Sequence, residues 1–306
     1  AAKIAYEAGA DALIVQDVFL GRILKGVLPD CELHLSTQAG TNNLDGVKIA
    51  KEYGFSRVIL ARETEEREIK TIAERIDTEI FVHGALCSSF SGHCYMSSFI
   101  GGNSGNRGLC KQPCRKKYVI ETKTGEGKYS FSLSDLNLAG RIGEIIKLGV
   151  KSVKIEGRMR TPEYVAAAVR LYRKAIDGLS FDLSEIKRTY NRGDYTEGYV
   201  FGFHGSILSD KIQNHCGEYF GRVKRSQGDK LVFDGTKPAR CGDGFKIVRN
   251  GFETGNAVCL RDGKELDCKG DVRVNDIVMI TRDAALSEKL LNVETKRKNV
   301  NVIAYF

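Results

Sequence analysis

Four of the nine cysteines in this 306-residue chain fall within one stretch, CSSFSGHCYMSSFIGGNSGNRGLCKQPC, at Cys87, Cys94, Cys110 and Cys114. The spacing is C-x6-C-x15-C-x3-C, with intervals rich in Gly, Ser and Asn. Thiolates are soft ligands that suit zinc or an iron–sulfur cluster, and four of them complete either site. Structural zinc more often takes tight knuckles, a habit that only Cys110 and Cys114 match, whereas longer irregular loops fit a cubane better. Glycines at positions 92, 101, 102, 105 and 108 let the backbone wrap an inorganic core and turn N–H groups toward its sulfurs. Arg107, Lys111, Arg115, Lys116 and Lys117 would offset its negative charge. Zinc stays open beside iron–sulfur, and the plainer alternative is four unlinked thiols in a loop.

The other five cysteines, Cys31, Cys216, Cys241, Cys259 and Cys268, have no ligand spacing and read as ordinary thiols. An odd cysteine count argues against a disulfide framework. The opening AAKIAYEAGADALIV lacks a basic n-region, which points to a cytoplasmic protein. No apolar run is long enough to span a bilayer, and 42% apolar with 28% charged residues is the composition of a globular protein. A net charge of +8 is compatible with a polyanionic partner such as RNA, although solubility alone accounts for it.

The elements that must position these residues alternate. Helical AAKIAYEAGA precedes extended DALIVQD, VFLGRILKGVLP precedes ELHLSTQ, NLDGVKIAKEYG precedes FSRVILARE, and EEREIKTIAERI precedes EIFVHGAL. After the cysteines come YSFSLSD, AGRIGEIIKLG, VKSVKIEGR and the helix TPEYVAAAVRLYRKAIDG, with Thr161 as N-cap, Pro162 at the first position and Gly178 as the stop. This rhythm predicts an α/β fold with a parallel sheet, read as a partial TIM-like (β/α) barrel over residues 1–178, with a doubly wound sheet as runner-up. Residues 179–202 read as a linker. From 203 to 285, short β-type runs between Gly, Asp and Asn turns predict a small antiparallel β-barrel domain, and 286–306 read as the start of a further domain. The chain opens without Met inside a helix, which reads as a piece of a longer one.

In a barrel the polar strand ends share one face, where sites are built. Ser36, Gln38 and Asn42 offer groups suited to the edge of a pyrimidine, or else satisfy their own loop. Arg62, Glu63 and Asp135 have similar strand-end placement. His83, four residues before Cys87, is placed to protonate a substrate or bond near a cluster, or is structural. Glu156 suits acid/base work and Arg158 or Arg160 a phosphate or carboxylate, the alternative being an ion pair at the barrel rim. The basic stretches KRSQGDK and ETKRKN are candidates for phosphate contact or simply a solvated face.

The run EIFVHGALCSSFSGHCYMSS from Glu79 to Ser98 resembles the signature of the U32 proteins, long classed as peptidases or collagenases. The likeness continues through GGNSGNRGLCKQPCRKKY, FSLSDLNL, VKSVKIEGRMRTPEYVAAAVRLYRKAID and YNRGDYTEGYVFG, in the family's order. It implies a TIM-like barrel followed by a small β-barrel, with the first barrel elements missing here and a junction to an extra C-terminal domain at the end. Members form 5-hydroxycytidine in 23S rRNA or wobble 5-hydroxyuridine in tRNA, or act in oxygen-independent ubiquinone hydroxylation. The resemblance therefore implies a 4Fe-4S cluster on Cys87, Cys94, Cys110 and Cys114, an RNA partner (rRNA or tRNA), an unidentified electron donor, and hydroxylation of a pyrimidine at C5. The rival class is the family's peptidase label, although the chain shows no HExxH and no G-x-S-x-G elbow. A non-catalytic RNA-binding protein with a structural cluster is the third.

Overall fold

Helix and strand do alternate along the first half, and the reason is visible in the burial of each strand. In this computed structural model, which describes residues 1–119, 127–202 and 207–292, α1 (Ala2–Glu7), β1 (Ala12–Val15), α2 (Val18–Val27), β2 (Glu32–Leu35), α3 (Leu44–Glu52), β3 (Arg57–Ile59), α4 (Glu66–Ala73) and β4 (Asp77–Ala85) follow in order. β1 to β4 are parallel neighbours in sequence order, in register at Val15↔Leu35, Leu35↔Val58 and Val58↔Thr78. Their apolar residues meet the inner faces of the helices in one core that includes Leu33, Leu35, Val58, Ile69, Ile72 and Val82.

After the cysteine loops and α5 (Met96–Gly101), the chain returns through β5 (Asp135–Asn137), α6 (Ile142–Lys147), β6 (Ser152–Ile155) and α7 (Pro162–Ile176). β6 pairs with β4 in parallel, with a one-residue slip between Phe81 and His83. α7 starts as its sequence predicts, since the Thr161 hydroxyl accepts the Tyr164 N–H at 3.5 Å and Gly178 follows the helix at φ 69°.

Two expectations change. YSFSLSD reads as a parallel strand, yet only its last residue enters β5, which runs antiparallel to β4 through His83↔Asn137 and Ala85↔Asp135. β5 is entered from the cysteine loops, not from a crossover helix, so nothing imposes the parallel direction. The expected (β/α) barrel is, among the described residues, a six-stranded, parallel-rich sheet with no closure.

Residues beyond α7 keep returning to this core. Ile186 of α8 (Ser184–Thr189) and Val200 are buried in it, and Tyr190, Tyr195 and Tyr199 pack against it. The predicted antiparallel barrel is present and closed, formed by β7 (Glu218–Gln227), β8 (Lys230–Phe233), β9 (Gly244–Arg249), β10 (Phe252–Val258), β11 (Glu265–Gly270) and β12 (Ile277–Arg282) in the order β10-β11-β8-β7-β12-β9. Alternate residues such as Val223, Leu231, Phe233, Ile247, Leu266 and Val278 fill a separate core. KRSQGDK forms the β7–β8 hairpin and ETKRKN lies outside the described residues, as do residues 293–306 of the further domain read from the sequence. α9 (Ala284–Leu291) sends Leu290 back into the first core. Arg188 of α8 joins Glu218 at 2.5 Å and Asp283 at 2.9 Å, fastening the barrel to that core. No described helix is long and apolar enough to cross a membrane.

Candidate functional site

β4 runs to Ala85 and delivers Cys87 at its C-terminal end. Two reversals bring the other thiols back: α5 stops at Gly102 (φ 68°) and the 3-10 turn Gly105–Arg107 stops at Gly108 (φ 76°), left-handed positions that favour glycine. Side chains then pin the loops. The Ser97 hydroxyl accepts the Lys111 N–H at 3.0 Å, and the Asn106 amide donates to the Gly92 carbonyl at 2.9 Å. Arg115 is buried, unlike the solvated cation its basic neighbours suggest, and donates to the carbonyls of Leu86 at 2.5 Å and Leu133 at 2.6 Å and to the Ser132 hydroxyl at 3.1 Å. It thereby ties the residue after Cys114 to the residue before Cys87.

The four thiols are gathered by these struts. Burial pushes the Cys114 thiol up, Arg115 draws it down, and Cys87, Cys110 and Cys94 each push it further up, so all three lie within electrostatic reach. The Gln112 N–H donates to Cys110 Sγ at 3.3 Å, the kind of bond a ligating sulfur receives. Among the described residues, no three His, Cys, Asp or Glu side chains close on one point as they would around a single ion. Soft sulfurs within electrostatic reach of one another are a donor set of the kind that zinc and iron–sulfur clusters both take. The other five cysteines are free, with Cys31, Cys259 and Cys268 buried, as their lack of pattern suggests.

Neighbouring strand ends pack onto the thiol loops. Gly92 (φ 81°) lies so close to Gln38 that a Cβ there would collide with the Gln38 carbonyl. The Ser36 hydroxyl accepts the Gln38 N–H at 3.2 Å, so it caps its own turn. Asn42 is exposed and accepts from the amide of Asn43, the cap of α3, which places it at a helix start. The Arg62 guanidinium covers the Phe81 ring at 3.8 Å and stands 3.7 Å from Glu156. Burial pulls it down from its ordinary range, opposed by Glu156, Cys87 and Glu63, which puts Cys87 nearby. The Ser91 hydroxyl, between two ligand candidates, accepts the Arg62 N–H at 3.2 Å and donates to Glu63 at 3.4 Å. Glu156 accepts the Arg158 N–H at 2.9 Å, and it packs on Gly84 (φ 112°), where an added Cβ would come within 2.6 Å of its Cβ and 2.7 Å of its carbonyl oxygen. Arg158 lies along the cysteine loop at Gly108.

Asp135 and His83 form a second, deeper group. Asp135 is fully buried and pairs with Arg192 at 3.2 Å and Arg160 at 3.4 Å. Burial pushes its carboxyl up, while Arg192, Arg160 and Arg115 pull it down. Arg160 lies 3.5 Å over the Tyr190 ring, and Arg192 donates to the Tyr190 hydroxyl at 2.8 Å. The slip in β4 falls at His83, whose ring is walled by Tyr164, Tyr172 and Tyr195 at 5.5 to 5.7 Å. Neither His83 nitrogen nor the Tyr164 hydroxyl has a hydrogen-bond partner among the described residues. Tyr195 is held there by three successive left-handed residues, Gly193, Asp194 and Tyr195, strain of a kind that gathers at functional sites. Arg192, Tyr164, Tyr190, Tyr195 and the clamp role of Arg115 are missed by the spacing of the sequence, although the density of Tyr and Arg in YNRGDY around a glycine was a usable signal.

Burial, with Arg160 adding to it, lowers His83 to about 3, and burial lowers His215 to about 4. The His215 Nδ1 accepts the N–H groups of Asn191 and Gly217, each at 3.1 Å, and its ring stacks on Tyr190 at 5.0 Å. Both folded values lie below the unfolded one near 6.5, so the native state binds fewer protons between them. Their stabilisation is complete above about pH 6.5 and is lost as pH falls toward 3 to 4, at up to ~1.4 kcal/mol per pH unit for each ring. Urea midpoints measured from pH 7 down to 4 should fall less steeply in His215→Gln than in the parent; parallel curves would show that the ring is protonated in the folded protein.

The model of peptidase family U32 matches residues 1–209. The 23S rRNA 5-hydroxycytidine C2501 synthase of Escherichia coli is 33% identical over 265 residues, covering 79% of this chain and 40% of that protein. The tRNA hydroxylation protein P1 of Bacillus subtilis is 31% identical over 301 residues, covering 85% and 69%. A protein named collagenase from Porphyromonas gingivalis is 34% identical over 200 residues, covering 56% and 48%. The chain thus spans less than half of the synthase and about two thirds of the Bacillus protein. No solved structure matches it.

Proposed function

Since the chain belongs to peptidase family U32, we propose that it is the core of an iron–sulfur-dependent RNA-modifying enzyme that hydroxylates a pyrimidine of rRNA or tRNA at C5, in the cytoplasm. The observation that carries this reading is the gathering of Cys87, Cys94, Cys110 and Cys114 under protein struts beside Arg62 and Glu156. The names of two relatives, acting on rRNA and tRNA, point the same way.

Cys87, Cys94, Cys110 and Cys114 would hold a 4Fe-4S cluster, which supplies one-electron chemistry when bound. Replacing C5–H by C5–OH is a two-electron oxidation of the base, and its oxygen source and the redox partner that balances it, an electron donor if the oxygen comes from O2, come from outside the chain. Gln38, whose backbone packs on the thiol loop at Gly92, would offer its amide to the edge of an unstacked base, with Ser36 capping the turn that holds it. Glu156, steadied by the Arg158 N–H and Arg62, is the group to take the C5 proton. Arg158, exposed along the loop, suits the adjoining phosphate. His83, buried behind three tyrosine rings with its pKa lowered to about 3, is not suited to act as a cationic acid.

The test is mass spectrometry of nucleosides from rRNA and tRNA of cells lacking the gene, with and without the complete protein. Reappearance of a 5-hydroxypyrimidine supports the reading. Unchanged nucleosides together with cleavage of gelatin would return the peptidase reading to the front. Among the described residues, however, no hydrogen bond joins a serine or threonine hydroxyl to a histidine ring.

A further inference from the structure

A cavity of about 500 Å³ opens between the segment that follows the thiols and the small barrel, with none of the Asp135 group in its lining. Its walls are Lys117 and Tyr129 on one side, Lys211 beside them, and Phe252, Asn256 and Lys269 from β10 and β11 on the other. Two lysines stand next to ring faces: Lys117 Nζ is 5.5 Å from the Tyr129 ring centre and Lys211 Nζ is 5.8 Å from that of Phe252. The lining carboxylate, Glu253, is answered by Lys246 at 2.5 Å and by the Asn256 amide at 3.3 Å, which leaves the three lysines to set the sign of the cavity. Phe252 is 42% exposed, large for a phenylalanine beside charged groups.

From this arrangement we infer that the cavity is a second RNA site, which grips single-stranded RNA next to the base being modified; the inference rests on the reading of the chain as an RNA-modifying enzyme. Ring faces flanked by cations are how unpaired nucleotides are held without regard to sequence, the base stacking and the phosphate meeting the lysine. A pocket of this size takes a splayed nucleotide and excludes a duplex, whose bases offer no free face. Lys117 follows Cys114 by three residues, a chain reach of about 11 Å, so a nucleotide held here is a near neighbour of the one presented at the thiols. The asparagine amide adds a donor and acceptor for a base edge.

The experiment measures fluorescence anisotropy of a short labelled oligouridylate with the complete protein, across a salt series, for the parent, Lys211→Glu/Lys269→Glu and Phe252→Ala. These side chains are exposed or partly so. The expected result is an affinity loss of at least ~10-fold in both groove variants. The slope of log affinity against log salt should also flatten by about 1.4 in the double-lysine variant alone. Unchanged affinity in the groove variants overturns the proposal. So does a Phe252→Ala protein that binds like the parent while duplex RNA competes as well as the single strand, since that describes a general anionic surface, or one for an acidic protein. Failure of the hydroxylase reading would instead show as absent modified nucleoside with oligouridylate binding at the groove intact.

Discussion

Cys110→Ala, purified without oxygen, is expected to lose iron and acid-labile sulfide together, and with them the modified nucleoside, while keeping the far-ultraviolet circular dichroism of the parent. The loss should be large. Removing only a partner that orients a ligand costs about 10- to 100-fold in metal affinity, and Cys110 supplies the sulfur itself, the one that accepts the Gln112 N–H. Cys87→Ala should match it, whereas Cys241→Ala, an exposed thiol of the small barrel whose Sγ lies against the Leu260 carbonyl, should leave iron and sulfide unchanged. Iron retained in Cys110→Ala, or zinc found in its place in the parent, would remove the electron-transfer chemistry from the proposal and leave a structural metal.

Asp135→Asn carries the largest expected cost in stability, about 3 to 5 kcal/mol in urea unfolding. The substitution keeps the shape of the side chain and removes its charge, so Arg160 and Arg192, 12% and 3% exposed, lose the carboxylate that offsets their burial. The aromatic face of Tyr190 compensates Arg160 in part. Combining Asp135→Asn with Arg192→Met should recover a portion of the loss, because one of the stranded charges is then gone. A loss below about 1 kcal/mol in the single variant would mean that the guanidiniums reach solvent and that the group is not the sealed network its burial indicates.

Much of this was legible from residue types. Strand and helix in the first half follow the apolar pattern, and the start of α7 is written in Thr161 and Pro162, whose cap and first-turn roles are local. The four cysteines stand out in the sequence because soft ligands at such intervals have few other uses, and in the fold three of them come within electrostatic reach of Cys114. The direction of β5 was not legible, since it depends on where the chain comes from and not on the residues of the strand. Arg115 reads in the sequence as one of five cations that offset the charge of the thiol site, and only the fold shows its guanidinium turned inward to three acceptors. Arg192 and Tyr195 sit in a segment without periodicity, where pairing is decided by distant partners such as Asp135 and His83. Asn42 stands exposed one residue before the α3 cap, a local role that its residue type alone does not reveal.

The Arg115 clamp has one more consequence. Its guanidinium closes the cysteine loops through bonds to Leu86, Ser132 and Leu133, all within the polypeptide and none through the thiols. A cage fastened in this way keeps its form when its contents are lost. An emptied site is therefore expected to stay folded and open to refilling, so that iron and sulfide supplied to the stripped protein should restore its absorption spectrum without a refolding step.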